Sequence, residues 1–228
     1  MYSPDDTINS MRLDLALIAS WIEPGTRVLG LGCGEGDLLH FLKTQKQVRE
    51  TGIEIVESRV ARCIGKGLCV LQGDINQEVE DYPDNAFDYV ILSQTLQQVY
   101  DPARLINAML RIGRKAIVSF PNFGHWKIRT QLLFTGRAPI TEQLPYQWYD
   151  TPNIRVLSIR DFRIFIRQVG MHIVKEMATA SGRTIHSGTV IRIAPNLLAT
   201  YGIFQIEKND HDGGALFPQP DKPTGEAK

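Results

Sequence analysis

The chain has 228 residues, 43% of them hydrophobic, and its 25 Lys and Arg balance 25 Asp and Glu to a formal net charge of zero. That length holds one well-buried α/β domain and is short for two, while charge neutrality argues against a protein that wraps nucleic acid, which needs a cationic excess. No apolar run reaches the roughly 18–20 residues of a membrane span, no signal peptide opens the chain, and Cys33, Cys63 and Cys69 form no C-x-x-C pair, so the expectation is a soluble, cytoplasmic protein in a reducing compartment, without nucleic-acid or membrane partners.

Ser3-Pro4-Asp5-Asp6 reads as a helix start, with Ser as N-cap and Pro in the first position. Ile8, Met11, Leu15, Ile18 and Ile22 follow at helical spacing, and Pro24-Gly25 stops the element. Next comes Arg27 to Gly36, R-V-L-G-L-G-C-G-E-G. Val28, Leu29 and Leu31 suit a buried strand, Gly32, Gly34 and Gly36 recur at every second position, and a helix is expected from Glu35. A strand, a glycine turn and a helix start let backbone approach a nucleotide closely. No register satisfies G-x-G-x-x-G, so the G-x-G-x-G spacing disfavours a dinucleotide and its dehydrogenase chemistry.

Leu38, Leu39, Phe41 and Leu42 supply the face of that helix. Strands are expected at Thr51 to Val56, Leu68 to Leu71, Phe87 to Leu92 and Ala116 to Phe120, with helices at Glu57 to Ile64 and after Asp101-Pro102. In the latter, Leu105, Ile106, Met109 and Leu110 face inward. Strands alternating with helices predict a parallel, doubly wound sheet covered on both faces, whose ligands sit outside the carboxyl ends of the strands. The glycine turn, Glu54, Asp74 and Ser93 all fall at such ends.

Residues 121–157 break the alternation with aromatics and prolines, and read as an insertion folded over the ligand end. Regular structure resumes at the capping box Ser158 to Asp161, with Phe162, Phe165, Ile166 and Val169 on one helix face up to Gly170. His172 to Met177 and Thr189 to Ile193, around the turn at Ser181-Gly182, read as a closing antiparallel hairpin. The expected organisation is one domain over 1–207 and a disordered tail over 208–228.

Glu54 lies 22 positions after Gly32, placed to accept from both hydroxyls of a ribose. Asp74 can accept from an exocyclic amine such as that of adenine, with Ile75 against the ring. Together with F-D-Y-V-I-L-S at 87–93, this order resembles class I S-adenosylmethionine-dependent methyltransferases over roughly residues 25–195. The stretches V-I-L-S-Q-T-L-Q-Q-V-Y-D-P (90–102), S-F-P-N-F-G-H-W-K-I-R (119–129) and N-I-R-V-L-S-I-R-D-F (153–162) are similar to the methionine biosynthesis protein MetW family.

The resemblance implies a Rossmann-like, seven-stranded, mostly parallel sheet with an antiparallel closing hairpin and helices on both faces. It implies S-adenosyl-L-methionine or S-adenosyl-L-homocysteine held by Gly32, Cys33, Gly34, Gly36, Glu54, Asp74, Ile75 and Ser93. It also implies support of a partner homoserine O-acyltransferase. Against that family pattern, Gly30 stands where class I methyltransferases usually carry an acid for the amino-acid end of the cofactor. Losing one charge-assisted hydrogen bond costs about 1.5–3 kcal/mol, roughly ten- to over a hundredfold in affinity.

Related small-molecule methyltransferases often have a His pair where this chain has Gln97-Gln98, which cannot act as a base. There is no N-P-P-Y-like motif, only Ser93-Gln94-Thr95, which with the neutral charge disfavours nucleic-acid methylation. Candidates for contact with a substrate or partner are Gln94, His125, Trp126, Lys127, Arg129, Tyr146 and Tyr149, while a lone His such as His125 is ordinarily structural. No metal site is read. From Leu71 through Asp101 the charges are all acidic, and from Pro102 through Thr141 all basic, a pattern able to orient a protein partner. Two readings stand open: a ligand-binding partner of the acyltransferase, or an active methyltransferase on a small, anionic acceptor near Lys127 and Arg129.

Overall fold

A computed structural model describes residues 12–181 and 188–209. Helix α1 (Leu13–Trp21) buries Ile18 and is followed by buried Ile22. The expected start at Ser3-Pro4, with Ile8 and Met11, lies outside the described residues, as do Gly182 and the tail from 210. Then come β1 (Arg27–Leu31), α2 (Asp37–Lys46), β2 (Arg49–Glu54), α3 (Glu57–Gly65), β3 (Val70–Gln72), α4 (Ile75–Glu78), β4 (Phe87–Ser93), α5 (Pro102–Ile112) and β5 (Gly113–Pro121). The second half holds α6 (Trp126–Thr135), α7 (Ile159–Gln168), β6 (Met171–Ser181), β7 (Gly188–Val190), α8 (Pro195–Leu198) and β8 (Tyr201–Lys208).

Local chemistry sets several of these boundaries. The Asp101 carboxylate accepts from Arg104 N at 3.0 Å, and Pro102, which has no N–H to leave unpaired, opens α5. Ser158 and Asp161 form the full reciprocal capping box at α7. Gly170, at φ +69°, turns the chain from α7 into β6.

The sheet order is β3-β2-β1-β4-β5-β8-β6-β7, with β1 to β5 parallel and β8 antiparallel to both β5 and β6. Among the described residues there are eight strands rather than seven, the extra one being the short edge strand β7. The expected hairpin does form between β6 and β7. It lies at the end of the sheet, joined to β5 through β8, which enters between β5 and β6.

Side chains alternate between two covered faces. Leu29, Leu31, Val90, Leu92, Val118, Phe120 and Phe204 pack beneath α5 and α7. There Phe120, Phe162 and Phe204 meet at centroid distances of 4.7–5.7 Å. Val28, Ile91, Ile117 and Ile203 point the other way, against Ile18 and Ile22 at α1, Leu39 and Leu42 on α2, and Cys63 on α3.

The opposed charge blocks meet in part. Arg104 pairs with Glu80 and Arg111 with Asp84, both at 3.1 Å, so two acids in the middle of the acidic block are paired by α5. The 121–157 segment contains α6, which the sequence did not announce. It is tied down at both ends: Phe123 N donates to Leu157 O, while Ile154 N and Arg155 N both donate to Gln97 O, each at 3.0 Å.

Candidate functional site

The turn after β1 is built by three left-handed residues, Gly32 (φ +62°), Gly34 (φ +60°) and Gly36 (φ +78°). Each lies in the region that L side chains avoid. At Gly36 a Cβ would stand 2.5 Å from Leu68 Cδ1 and 2.8 Å from Cys63 Sγ, so that glycine serves packing. Gly34 differs, since a Cβ there would meet nothing within 4 Å. It is the point where the turn faces open space and a ligand can approach the backbone. Gly36 also caps α2, so the turn leads straight into that helix's unpaired first N–H groups.

Glu54 ends β2 beside this turn. It is 3% exposed, its Oε2 accepts from Gly34 N at 2.9 Å, and its Oε1 accepts from Val56 N at 3.0 Å. A carboxylate offers about four lone-pair sites, so capacity for ribose hydroxyls remains. The acid is nonetheless held by its own backbone rather than free. Asp74 caps α4, its Oδ1 accepting from Asn76 N (2.9 Å) and Asn76 Nδ2 (2.8 Å), with no bond at Oδ2 among the described residues. Ile75 is 9% exposed and packs in the core with Leu29 and Leu31. Ser93 Oγ lies 3.0 Å from Ser119 Oγ across β4 and β5.

Cys33 N donates to Ile53 O at 3.1 Å, and the Cys63 thiol donates to Gly34 O at 3.3 Å. Burial, then the neighbouring Cys63, pushes the Cys33 thiol up to about 12. Gly30 is the register partner of Gly52. A Cβ on Gly30 would lie 3.2 Å from Leu39 Cδ1 and 3.4 Å from Cys33 Cβ, and one on Gly52 would lie 2.8 Å from Cys33 Sγ. A side chain at residue 30 would therefore press on Leu39 and Cys33, which would have to give by a few tenths of an ångström.

Gln94 leaves the end of β4 with φ +54°, a conformation costly for a non-glycine residue. Its Nε2 donates at 2.8 Å to Asp14 Oδ2, a 5%-exposed carboxylate on α1 that Arg12 also clasps through Nε (3.1 Å) and Nη2 (2.7 Å). Sequence reasoning missed Asp14. The available signal was a single acid inside the apolar run L-D-L-A-L-I-A-S-W. Asn122 was missed too; 2% exposed, it bonds Asn196 O, Ala199 O, Gly124 N and Ile159 N, fixing the chain as it leaves β5.

A cleft of about 400 Å³ opens over the ends of β5, β6 and β8, with His125, Trp126, Lys127, Gln131 and Glu142 among its walls. It brings together three of the candidate contact residues. Arg129 is not among its walls, its Nε donating to Gly124 O at 2.7 Å. Tyr146 and Tyr149 are exposed and also stand outside it. His125 is 7% exposed and caps α6, its Nδ1 accepting from Lys127 N at 3.4 Å; burial, then the Lys127 charge, lowers its pKa below the ordinary 6.5. Gln97, 4% exposed, donates through Nε2 to Gln94 O at 2.8 Å and so braces the β4 turn.

Among the described residues no group of three His, Cys, Asp or Glu could hold a metal ion, and no helix is long and apolar enough to cross a membrane. The family model described as "Methionine biosynthesis protein MetW" matches residues 12–206. The chain belongs to the MetW family. A bifunctional methionine biosynthesis protein MetXA/MetW from Rhodopirellula baltica is 34% identical over 177 residues, covering 74% of this chain. The chain spans 28% of that relative's length.

Solved structures show the same fold. A SAM-dependent methyltransferase from Archaeoglobus fulgidus superposes with a TM-score of 0.64 at 16% identity, covering 90% of this chain and 95% of its own. Another, described as a possible histamine N-methyltransferase from Thermotoga maritima, gives 0.62 at 19%, covering 86% and 87%. The fold is therefore that of the Rossmann-like methyltransferases.

Proposed function

We propose that this MetW-family chain binds S-adenosylmethionine or S-adenosylhomocysteine at the glycine turn and supports a homoserine O-acyltransferase. The observation that carries the ligand is Gly34, a left-handed glycine open to solvent and hydrogen-bonded to a strand-end acid, Glu54. Such a turn lets a ligand approach the backbone with no side chain between. The lone-pair sites left on Glu54 suit ribose hydroxyls, and the second oxygen of Asp74 suits an adenine amine. The partner is supported by the relative whose name joins MetXA and MetW in one polypeptide.

Acyltransferase rates measured with and without this chain, across S-adenosylmethionine concentrations, test the partner role. A rate that ignores the chain sinks it. Calorimetric titration with both ligands tests the binding role separately.

The cleft beside Lys127 favours a second reading, methyl transfer to a small anionic acceptor. When bound, the cofactor supplies an electrophilic methyl group; the chain's part is to hold the acceptor and take up its proton. His125 already accepts an N–H at Nδ1 as a helix cap, and Gln97 cannot act as a base, so the geometry favours the first reading. Label transfer from methyl-labelled cofactor to cell metabolites would establish the second.

A further inference from the structure

The glycine turn lacks its acid at residue 30, yet a buried carboxylate stands next to it from another direction. Asp14 comes from α1, 80 positions before Gln94, the residue that binds it. One contact ties this group to the turn. Thr95, the neighbour of Gln94, packs over Gly32, its Oγ1 3.0 Å from where a Cβ would stand. Asp37, which follows Gly36, and Tyr201, which opens β8, also favour the charged form of Arg12.

Donor counting shows what the group can still accept and give. Of the roughly four lone-pair sites on the Asp14 carboxylate, Arg12 Nε, Arg12 Nη2 and Gln94 Nε2 occupy three, leaving a site at Oδ1. Arg12 has five N–H bonds, of which two go to Asp14; the rest have no partner among the described residues. Its side chain is 42% exposed, whereas that of Asp14 is 5% exposed. A buried anion with one free lone-pair site beside a partly open guanidinium complements a zwitterion, ammonium to Asp14 and carboxylate to Arg12. Gln94, left-handed where the chain leaves β4, bonds Asp14 through its amide and so ties the carboxylate to the strand end beside β1.

We propose that Arg12 and Asp14, positioned by Gln94, hold the α-amino-acid end of the ligand in place of the acid absent at residue 30. This rests on the reading that the glycine turn binds S-adenosylhomocysteine or its methylated form. It makes the ligand's two halves separable: the turn and Glu54 take the nucleoside, and α1 takes the amino acid.

The test is calorimetry of the full chain with S-adenosylhomocysteine, its decarboxylated analogue and 5′-methylthioadenosine, which lacks the whole amino-acid end. In the wild type, loss of the carboxylate is expected to weaken binding by roughly ten- to a hundredfold, the worth of one charge-assisted hydrogen bond. In Arg12→Gln the same loss of carboxylate is expected to change affinity less than twofold, because the two deletions remove one contact. Asp14→Asn is expected to weaken S-adenosylhomocysteine while leaving methylthioadenosine within twofold. Equal weakening of all ligands by the variants means that the pair serves only the fold and overturns the proposal. So does a wild type that binds methylthioadenosine as tightly as S-adenosylhomocysteine, an outcome that needs no variant to fold and leaves the nucleoside site standing. A wild type that binds none of the three overturns the cofactor reading itself, and this proposal with it.

Discussion

The carboxylate of Glu54 and the backbone N–H of Gly34 join the ends of β2 and β1 through a 2.9 Å hydrogen bond, inside a site that leaves Glu54 3% exposed. The second oxygen accepts from Val56 N. An amide in place of the carboxylate keeps one acceptor and turns the other into a donor facing an N–H. Glu54→Gln is therefore expected to lose about 1–3 kcal/mol of stability, the cost of one buried unpaired donor. The midpoint of urea unfolding measures this, and a midpoint unchanged from wild type contradicts the geometry.

Gly34 and Gly36 share a left-handed backbone and differ in what surrounds them. Alanine at 36 meets Leu68 and Cys63 at distances that no real Cβ keeps, adding overpacking to the backbone cost. Gly36→Ala is expected to destabilise by about 2–4 kcal/mol, and Gly34→Ala by about 1–2 kcal/mol. Ligand affinity is expected to invert that order per unit of stability lost, since only the methyl of Gly34→Ala enters the open side of the turn. Denaturant unfolding read beside calorimetry separates the two; intact affinity in Gly34→Ala places the ligand elsewhere.

His125 ties acidity to stability. Its folded-state pKa lies below 6.5, lowered by burial and Lys127, so the unfolded chain takes up the proton first as pH falls. Its contribution is fully present above about 6.5 and is lost as pH drops from there toward the folded value. Protonation also removes the Nδ1 acceptor that caps α6. His125→Asn, which keeps a capping side chain and does not titrate, is expected to flatten the stability profile between pH 7 and 5. Chemical denaturation across that range checks it, and parallel slopes for variant and wild type would sink the assignment.

The cysteines are expected to react in order of burial. Cys69 is exposed, whereas Cys63 is buried and the Cys33 thiol is pushed up to about 12 by its surroundings. Iodoacetamide at pH 8 is expected to modify Cys69 alone in the native protein, and the other two only after unfolding. Peptide mass mapping over time distinguishes the sites; early modification of Cys33 contradicts the packing at Gly52.

Much of the parallel half was legible because its signals are local. Glycine spacing, strand-end acids and the caps at Asp101 and Ser158 each depend on a few neighbouring residues. Helix α6 escaped because its apolar side chains do not mark a buried face. Leu132, Leu133 and Phe134 are exposed and only Ile128 among its residues is buried, leaving no inward stripe to recognise. Strand β8 escaped because its neighbours on both sides create its burial, carrying even Gln205 to 1% exposure. The Asp14–Gln94 bond joins α1 to the residue after β4, 80 positions apart, and has no local trace. Gly30 was legible as a missing acid, but not as a position whose Cβ would press on Leu39 and Cys33.

The insertion of β8 between β5 and β6 has a consequence for how the chain is made. The outer edge of β5 is complete at Pro121, yet its partner begins only at Tyr201. At the usual pace of translation, about 5–20 residues per second, those 80 positions leave a hydrophobic strand edge uncovered for roughly 4–16 s. Near the end of that interval, once residue 190 is made, β6 and β7 can pair with each other, but in the native sheet they attach only through β8. The nascent chain therefore passes through a half-sheet with an open apolar border, the form in which it is most exposed to association with other copies and to chaperones.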